Sequence, residues 1–429
     1  MIRRAIAAQA LVLILAIIAW GCSAGGTRSK PGEAVVRVML PASERPLWRP
    51  IVQRFARDHP GARVELIEGP ESTDLREDLY TTSLLARDPT FDLIYMDVTW
   101  TAKFAAAGWL RPLDDMVSPA ECEAFLPAAL AAGRYRGRLY RIPVRTDVGV
   151  LYYRTDLLEA AGLPPPQTMD QLVGEAKQLQ SPPQRWGFVW QGKQYEGLIC
   201  NYLELLGGCG GFWVDPRTLD VGLDRPEAER ALTFLVRCVG AESISPPGVT
   251  TYEEEESRRL FQDGRAVFLR NWPYVWPLAQ GPGSSVRGHI DAISMVHDPG
   301  RPAGVTLGGW GLGLSSYSRH PALAMDLVRL VTSLEGQRML CVPTGFSPAR
   351  SEAYRDSALL ASNPFLARIG ALHEHAVVRP AIARYAVASD ILQRHLSAAL
   401  SGSVSASEAL SDAARETRRA LGSRGSSPR

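Results

Sequence analysis

Short β-branched runs alternate with amphipathic helical segments along most of this chain, and that alternation restricts its fold more than any other feature. Val35–Leu40 is suited to a buried strand, and Leu47, Ile51, Val52 and Phe55 then share one face of a helix that ends at the turn signal Asp58-His59-Pro60-Gly61. Arg63–Ile67 returns as a strand, Asp74–Ala86 reads as a helix, and Phe91–Met96 is again a mostly apolar run. Strand, helix and strand with short connections predict an α/β architecture with largely parallel sheets. The pattern restarts after Gly149, with a strand at Val150–Tyr153 and a helix at Thr168–Gln180, which puts a first domain boundary near Arg145–Asp147. Gly308–Ser316 reads as a strand crossing between halves. It leads into a helix with Pro321 in its first turn and Leu323, Leu327, Leu330, Val331 and Leu334 on its apolar face. Ser351–Leu421 reads as helical with breaks at Pro364 and Pro380, and a Gly/Ser-rich tail closes the chain.

At 429 residues the chain has room for two or three domains. Its 47 basic and 45 acidic residues leave a formal charge of +2, so there is no basic excess to neutralise a phosphate backbone and nucleic acid is not an expected partner. Arg3 and Arg4 precede an apolar stretch, Ala5 to Trp20, which is shorter than the ~20 residues a spanning helix needs. It reads as the core of a signal peptide, with an uncleaved anchor helix as the alternative. Ile18-Ala19-Trp20-Gly21-Cys22 resembles a bacterial lipobox, in which Cys22 would be lipidated, although Trp20 is bulky and Ala19 stands where Leu is usual. Loss of residues 1–21 removes Arg3 and Arg4 and brings the net charge to zero. The body is then expected outside the cytoplasm, held at a membrane by a flexible tether. Cys122, Cys200, Cys209, Cys238 and Cys341 remain; an odd number leaves at least one unpaired, and spacing selects no pairing.

Chemistry-bearing residues fall at strand ends and loops. Glu44 follows the first strand, Asp97 and Trp100 follow Phe91–Met96, and Asp147 lies at the boundary. Open α/β sheets bind ligands beyond the carboxyl ends of their strands, although a helix cap or turn needs the same residue types. Aromatics crowd with glycines and amides in Trp186–Gly197, Asn271–Trp276 and Thr306–Gly311. Flat rings, carboxylates, amides and arginines together suit a sugar, which offers apolar C–H faces and a rim of hydroxyls; core packing is the competing explanation for each single Trp. The acidic run Glu253–Glu256 most simply caps a helix. His373-Glu374-His375 has a spacing that sends two imidazoles to different helix faces and makes a poor metal site. No GxSxG, HExxH or P-loop motif occurs. Asp97 and Asp147 could by type serve a surface glycosidase or transglycosylase acting on small glucosides, but nothing in the sequence fixes their separation.

With these residues in view, the chain from Val35 to Leu421 resembles the extracellular solute-binding proteins of ABC sugar importers, in the trehalose/maltose-binding group. The resemblance is carried by Met96–Trp100 with Phe104–Asp114, by Asp147–Arg154, Trp186–Glu196, Arg270–Trp276 and Thr306–Trp310, and by Val378-Arg379-Pro380. It implies a two-lobed periplasmic-binding fold of class II with discontinuous lobes, residues 35–146 and 308–348 against 147–307 and 349–421. Residues 1–21 would be a lipoprotein signal peptide, 22–34 a tether and 422–429 a disordered tail, with hinge crossings near Thr146, Thr306 and Gly345. It further implies ligand contacts from Glu44, Arg76, Asp97, Arg145, Asp147, Trp272, Gly309, Trp310 and Arg379, with Trp272 and Trp310 as platforms and Arg379 as a donor. Arg145 stands where some relatives carry an aromatic residue, which leaves the choice of sugar open. No catalytic residue, metal or cofactor is expected. The expected partners are a disaccharide or glucoside, the transmembrane subunits of an ABC permease, and the membrane through the lipid on Cys22, with the protein itself monomeric. A sensory lipoprotein is a third, weaker reading.

Overall fold

A computed structural model describes residues 33–373 and 376–422. The signal-peptide segment, Cys22 and most of the tether lie outside the described residues, as do Glu374, His375 and residues 423–429.

Among the described residues ten strands form the two main sheets, beside a small hairpin of Arg134–Tyr135 with Arg138–Leu139: β1 (Ala34–Pro41), β2 (Ala62–Gly69), β3 (Leu93–Asp97), β4 (Arg141–Val148), β5 (Val150–Arg154), β6 (Trp186–Val189), β7 (Ala266–Asn271), β8 (Ile290–Ile293), β9 (Val305–Leu314) and β10 (Ala376–Val377). The first sheet runs β10-β9-β3-β1-β2, with β4 also paired to β9; the second runs β8-β5-β7-β6. The chain therefore leaves the first sheet after β4, enters the second at β5, and returns to the first through β9. This is the α/β architecture read from the strand–helix alternation, in the two-lobed form that the resemblance implies.

The expectation of largely parallel sheets holds only in part. β1 pairs with β2 and β3, β6 with β7, and β9 with β10 in parallel, whereas β3 and β4 against β9, and β5 against β7 and β8, are antiparallel. Local strand–helix–strand units dictate parallel pairing through their crossovers. β9 arrives from far along the chain, so no crossover sets its direction.

The helices that matter for the site are α1 (Arg49–Asp58), α2 (Thr73–Leu85), α3 (Trp100–Ala106), α4 (Glu196–Gly208), α5 (Glu254–Gln262), α6 (Pro321–Thr332), α7 (Tyr385–Leu400) and α8 (Ala406–Leu421). α1 buries Ile51 and Phe55, two of the residues whose spacing predicted it; each such side chain contributes about 1.5–3 kcal/mol on leaving water. Ser72 caps α2 by accepting from the Leu75 N–H. Glu253 and Glu256 form a reciprocal capping box at the start of α5, as the acidic run suggested. One apolar cluster surrounds the first sheet and extends to residues of the second, such as Val150, Tyr152 and Leu269. The other packs the second sheet against α4, α7 and α8 through residues such as Leu151, Phe268, Leu198, Leu396 and Leu410. Cys122, Cys200, Cys209, Cys238 and Cys341 are all free thiols. No helix of the described residues is long and apolar enough to cross a membrane.

Candidate functional site

The centre of the site is the middle of β9. Trp310 lies opposite Asp97 of β3 on one side and opposite Arg145 of β4 on the other, and Gly308 lies opposite Asp147. Three separate stretches of sequence thus present their polar residues along one line. Glycine is required there. Gly309 has φ +131°, and a Cβ on it would stand 2.5 Å from the Arg145 carbonyl oxygen. A Cβ on Gly308 would stand 3.2 Å from the Trp272 ring and 3.5 Å from Asp147 Cβ, so this bare position brings Trp272 beside Asp147.

Around Arg145 a charged knot forms. Arg145 Nη2 donates to Glu44 Oε1 at 2.9 Å, Nη1 to Asp147 Oδ2 at 3.1 Å and Nε to the Tyr95 hydroxyl at 3.3 Å. Tyr95 in turn donates to Glu44 Oε2 at 2.9 Å. Burial works against the charge on Arg145, but Glu44, Tyr95 and Asp147 overcome it and hold the guanidinium firmly protonated. Asp147 titrates above the ordinary aspartate range because burial outweighs the attraction of Arg145.

A second knot joins the first sheet to the helices of the second. Arg379, two residues beyond β10, donates from Nη2 to Asp97 Oδ1 at 3.1 Å and from Nη1 to Glu196 Oε1 at 2.7 Å. Glu196 opens α4 and also accepts from the hydroxyls of Tyr385 and Ser389 on α7, the latter at 2.6 Å. Asp97 Oδ1 is further held by the Thr99 N–H and hydroxyl. Asp97 thus caps its own turn and at the same time belongs to the ion-paired cluster.

The aromatic residues divide. Trp310 is 8% exposed, with Tyr95 stacked on it at 5.1 Å, Trp100 edge-on at 5.6 Å and the Arg76 guanidinium 4.5 Å from its centroid. Arg76 is anchored by the Pro70 and Glu71 carbonyls. Trp272 is half-buried, with Arg270 over the ring at 4.1 Å and its Nε1 donating to Glu254 Oε1 at 3.3 Å. Arg270 is itself fully buried in an ion pair with Glu204 and donates to Gln191. In the Trp186–Gly197 segment, Trp190 is core, bonded to Ser245, and Gln191 is buried behind Arg270. Trp276 stacks on Phe365 at 4.6 Å. Of that crowded segment it is Glu196, not a Trp, that reaches the polar centre.

All nine residues to which the resemblance points, Glu44, Arg76, Asp97, Arg145, Asp147, Trp272, Gly309, Trp310 and Arg379, belong to this one connected arrangement. Sequence reasoning passed over Tyr95, Glu196, Glu254 and Phe346, whose ring lies 4.1 Å from the Arg145 guanidinium. Tyr95 is hidden in an apolar strand, and Glu254 in a run read as a cap. Glu196 lies inside the aromatic-rich Trp186–Gly197 segment, where the aromatics draw the attention, and Phe346 carries no local signal. His373 is buried, its Nδ1 donating to the Ile369 carbonyl, and burial lowers its pKa to about 4. No group of three His, Cys, Asp or Glu among the described residues is placed to hold a metal ion.

The chain compares with known proteins as follows. A "Probable ABC transporter-binding protein" of Deinococcus radiodurans is 36% identical over 327 residues, 75% of this chain and 77% of that one. The "Maltotriose-binding protein" of Pyrococcus abyssi is 23% identical over 357 residues, 81% of this chain and 73% of that one. The solved structure of T. maritima MalE3 with maltose bound superposes with a TM-score of 0.85 at 35% identity, covering 90% of this chain and 99% of that one. Residues 41–338 match the family described as bacterial extracellular solute-binding protein. With that match across more than half its length, this chain belongs to the bacterial extracellular solute-binding proteins.

Proposed function

We propose that this protein captures an uncharged saccharide, a disaccharide or related glucoside of the trehalose/maltose type, between its two lobes and delivers it to the transmembrane subunits of an ABC permease. The observation that carries the reading is the pairing of carboxylates with guanidiniums at the junction of β3, β4 and β9. Glu44 and Asp147 are matched by Arg145, and Asp97 and Glu196 by Arg379, beside Trp272 and Trp310. Each of these four carboxylates already has a guanidinium partner, and such a site suits a ligand that brings hydroxyls rather than a charge of its own. Fixed carboxylates and guanidiniums grip hydroxyls strongly because they are held in place and partly desolvated. The relatives lend the same direction: one is named for maltotriose, and the T. maritima structure contains maltose.

On this reading the lobes are residues 35–146 with 308–348 and 147–307 with 349–421, and the ligand favours the closed arrangement by hinge motion near Thr146, Thr306 and Gly345. The protein is a monomer that binds and releases without catalysis, tethered outside the cytoplasm through lipid on Cys22. Calorimetric titration with maltose, trehalose and sucrose tests the core claim. Micromolar affinity, about −8 kcal/mol, is the expected result for one of them. No heat of binding with any saccharide would reject it, and release of glucose from any of them would reject the non-catalytic part. Labelling of expressing cells with a tagged fatty acid, with Cys22→Ala as control, tests the anchor.

A further inference from the structure

We propose that Arg145 is the specificity-determining residue of the cleft: by clamping Glu44 to Asp147 it closes one end of the site and limits the length of saccharide accepted. The inference rests on the saccharide reading above and names what sets its upper size.

The position of Arg145 follows from a local irregularity. β4 and β9 pair regularly through Arg145 opposite Trp310, but the next pair is Pro143 opposite Gly311, so Val144 is an extra residue in β4. A bulge of this kind re-aims the side chains beside it. Arg145 is also bridged on its other side to Pro348. Its guanidinium is thereby held between Glu44, which follows β1, and Asp147, two residues along its own strand. Phe346 lies 4.1 Å from the guanidinium carbon, and Trp310 lies 5.9 Å away. With 11% of its side chain exposed, Arg145 fills this space and is not a solvated arm free to swing.

The consequence is a division of acceptors. Both oxygens of Glu44 are engaged within the protein, Oε1 by Arg145 and Oε2 by Tyr95. Asp147 gives only Oδ2 to Arg145; its Oδ1 is buried and has no partner. A hydroxyl approaching the Glu44 end meets a guanidinium and a carboxylate already in use. On the Trp272 side, next to Gly308, Asp147 keeps one buried carboxylate oxygen without a protein partner, an acceptor left for a ligand hydroxyl. The ring of Trp310 at the closed end is likewise occupied by Tyr95 and Arg76. The ligand is therefore held at the Asp147–Trp272 side, and a further sugar unit extending toward Glu44 has to displace Arg145.

A purely structural ion pair would make a different prediction. Its removal would weaken every ligand alike, whereas removal of a length limit changes the ratio between ligands. The test titrates the protein, Arg145→Ala and Arg145→Gln with maltose and maltotriose, after thermal unfolding has shown that each variant is folded. The expected result is that the maltotriose-to-maltose ratio of association constants rises at least tenfold in Arg145→Ala. Arg145→Gln, which frees both carboxylates while keeping a longer side chain, serves if the alanine variant does not fold and should shift the ratio the same way. An unchanged ratio, a parallel loss for both sugars, or a wild-type protein that prefers maltotriose overturns the role of Arg145. Failure of the wild-type protein to bind either sugar overturns the saccharide reading itself, and this inference with it.

Discussion

Arg379 reaches Asp97 at 3.1 Å with one nitrogen while its other terminal nitrogen holds Glu196 at 2.7 Å, so a single planar guanidinium ties the end of β3 to the start of α4. Lysine can hold one carboxylate but cannot fork between two at fixed angles. Arg379→Lys is expected to weaken saccharide binding on the order of 10- to 100-fold, since bound hydroxyls would lose a prearranged donor. Calorimetry on the folded variant decides it; affinity within twofold of wild type would show that the fork is dispensable.

Trp272 and Trp310 should separate binding from stability. Trp310 is closely packed against Tyr95 and Trp100, and truncating such a residue costs about 3–5 kcal/mol through lost contacts and the cavity left behind. Trp310→Ala is therefore expected to lower both affinity and the urea midpoint. Trp272 is half-buried at the site, so Trp272→Ala should lose most of its saccharide affinity at a smaller stability cost. The reverse ranking in urea would contradict this placement.

Glu204 and Arg270 are both inaccessible to solvent, and a buried pair is costly to break because the remaining charge is stranded. Glu204→Gln should destabilise the protein by about 3–5 kcal/mol. Arg270 also stacks on Trp272, so binding should weaken with it. Chemical denaturation followed by far-ultraviolet circular dichroism measures the first effect; a change below about 1 kcal/mol would mean the charge is relieved by rearrangement.

His373 gives a pH signature. Burial holds its folded pKa at about 4, below the ordinary 6.5. Between those values the unfolded chain binds the extra proton, so stability is fully present above about pH 6.5 and falls as pH drops toward 4. The loss approaches about 3 kcal/mol for this shift. His373→Gln should flatten the stability–pH curve by a similar amount; identical curves for both proteins from pH 7 to 4 would place the acid sensitivity elsewhere.

Gly309→Ala is predicted to be severe. Its φ of +131° disfavours any side chain, and the added Cβ would press on the Arg145 carbonyl, a backbone atom that cannot turn aside. Lower yield or an unfolding midpoint many degrees below wild type is expected, and a variant of native stability would show that β9 can shift against β4.

Local sequence made the strands and helices legible wherever one short connection joined them. Periodicity gave α1 and the Pro321 helix, and the capping chemistry of Glu253 and Glu256 was visible in four consecutive acids. Strand-end placement and the glycine-flanked tryptophans brought out residues that prove to be neighbours. The composition also determined that the charge left after residue 21 is balanced. What only the tertiary structure decided is how distant segments meet. The direction of β9 is fixed by pairing with β3 and β4 and not by any local crossover. Trp190 became core through Ser245 and Phe188, and Glu196 became part of the polar centre through Arg379 and the α7 hydroxyls of Tyr385 and Ser389, all distant in sequence except Phe188. The clamp of Arg145 on Glu44 spans 101 residues of sequence. Periodicity reports which face of an element is buried; which charge meets which is set by contacts between elements that share no local sequence signal.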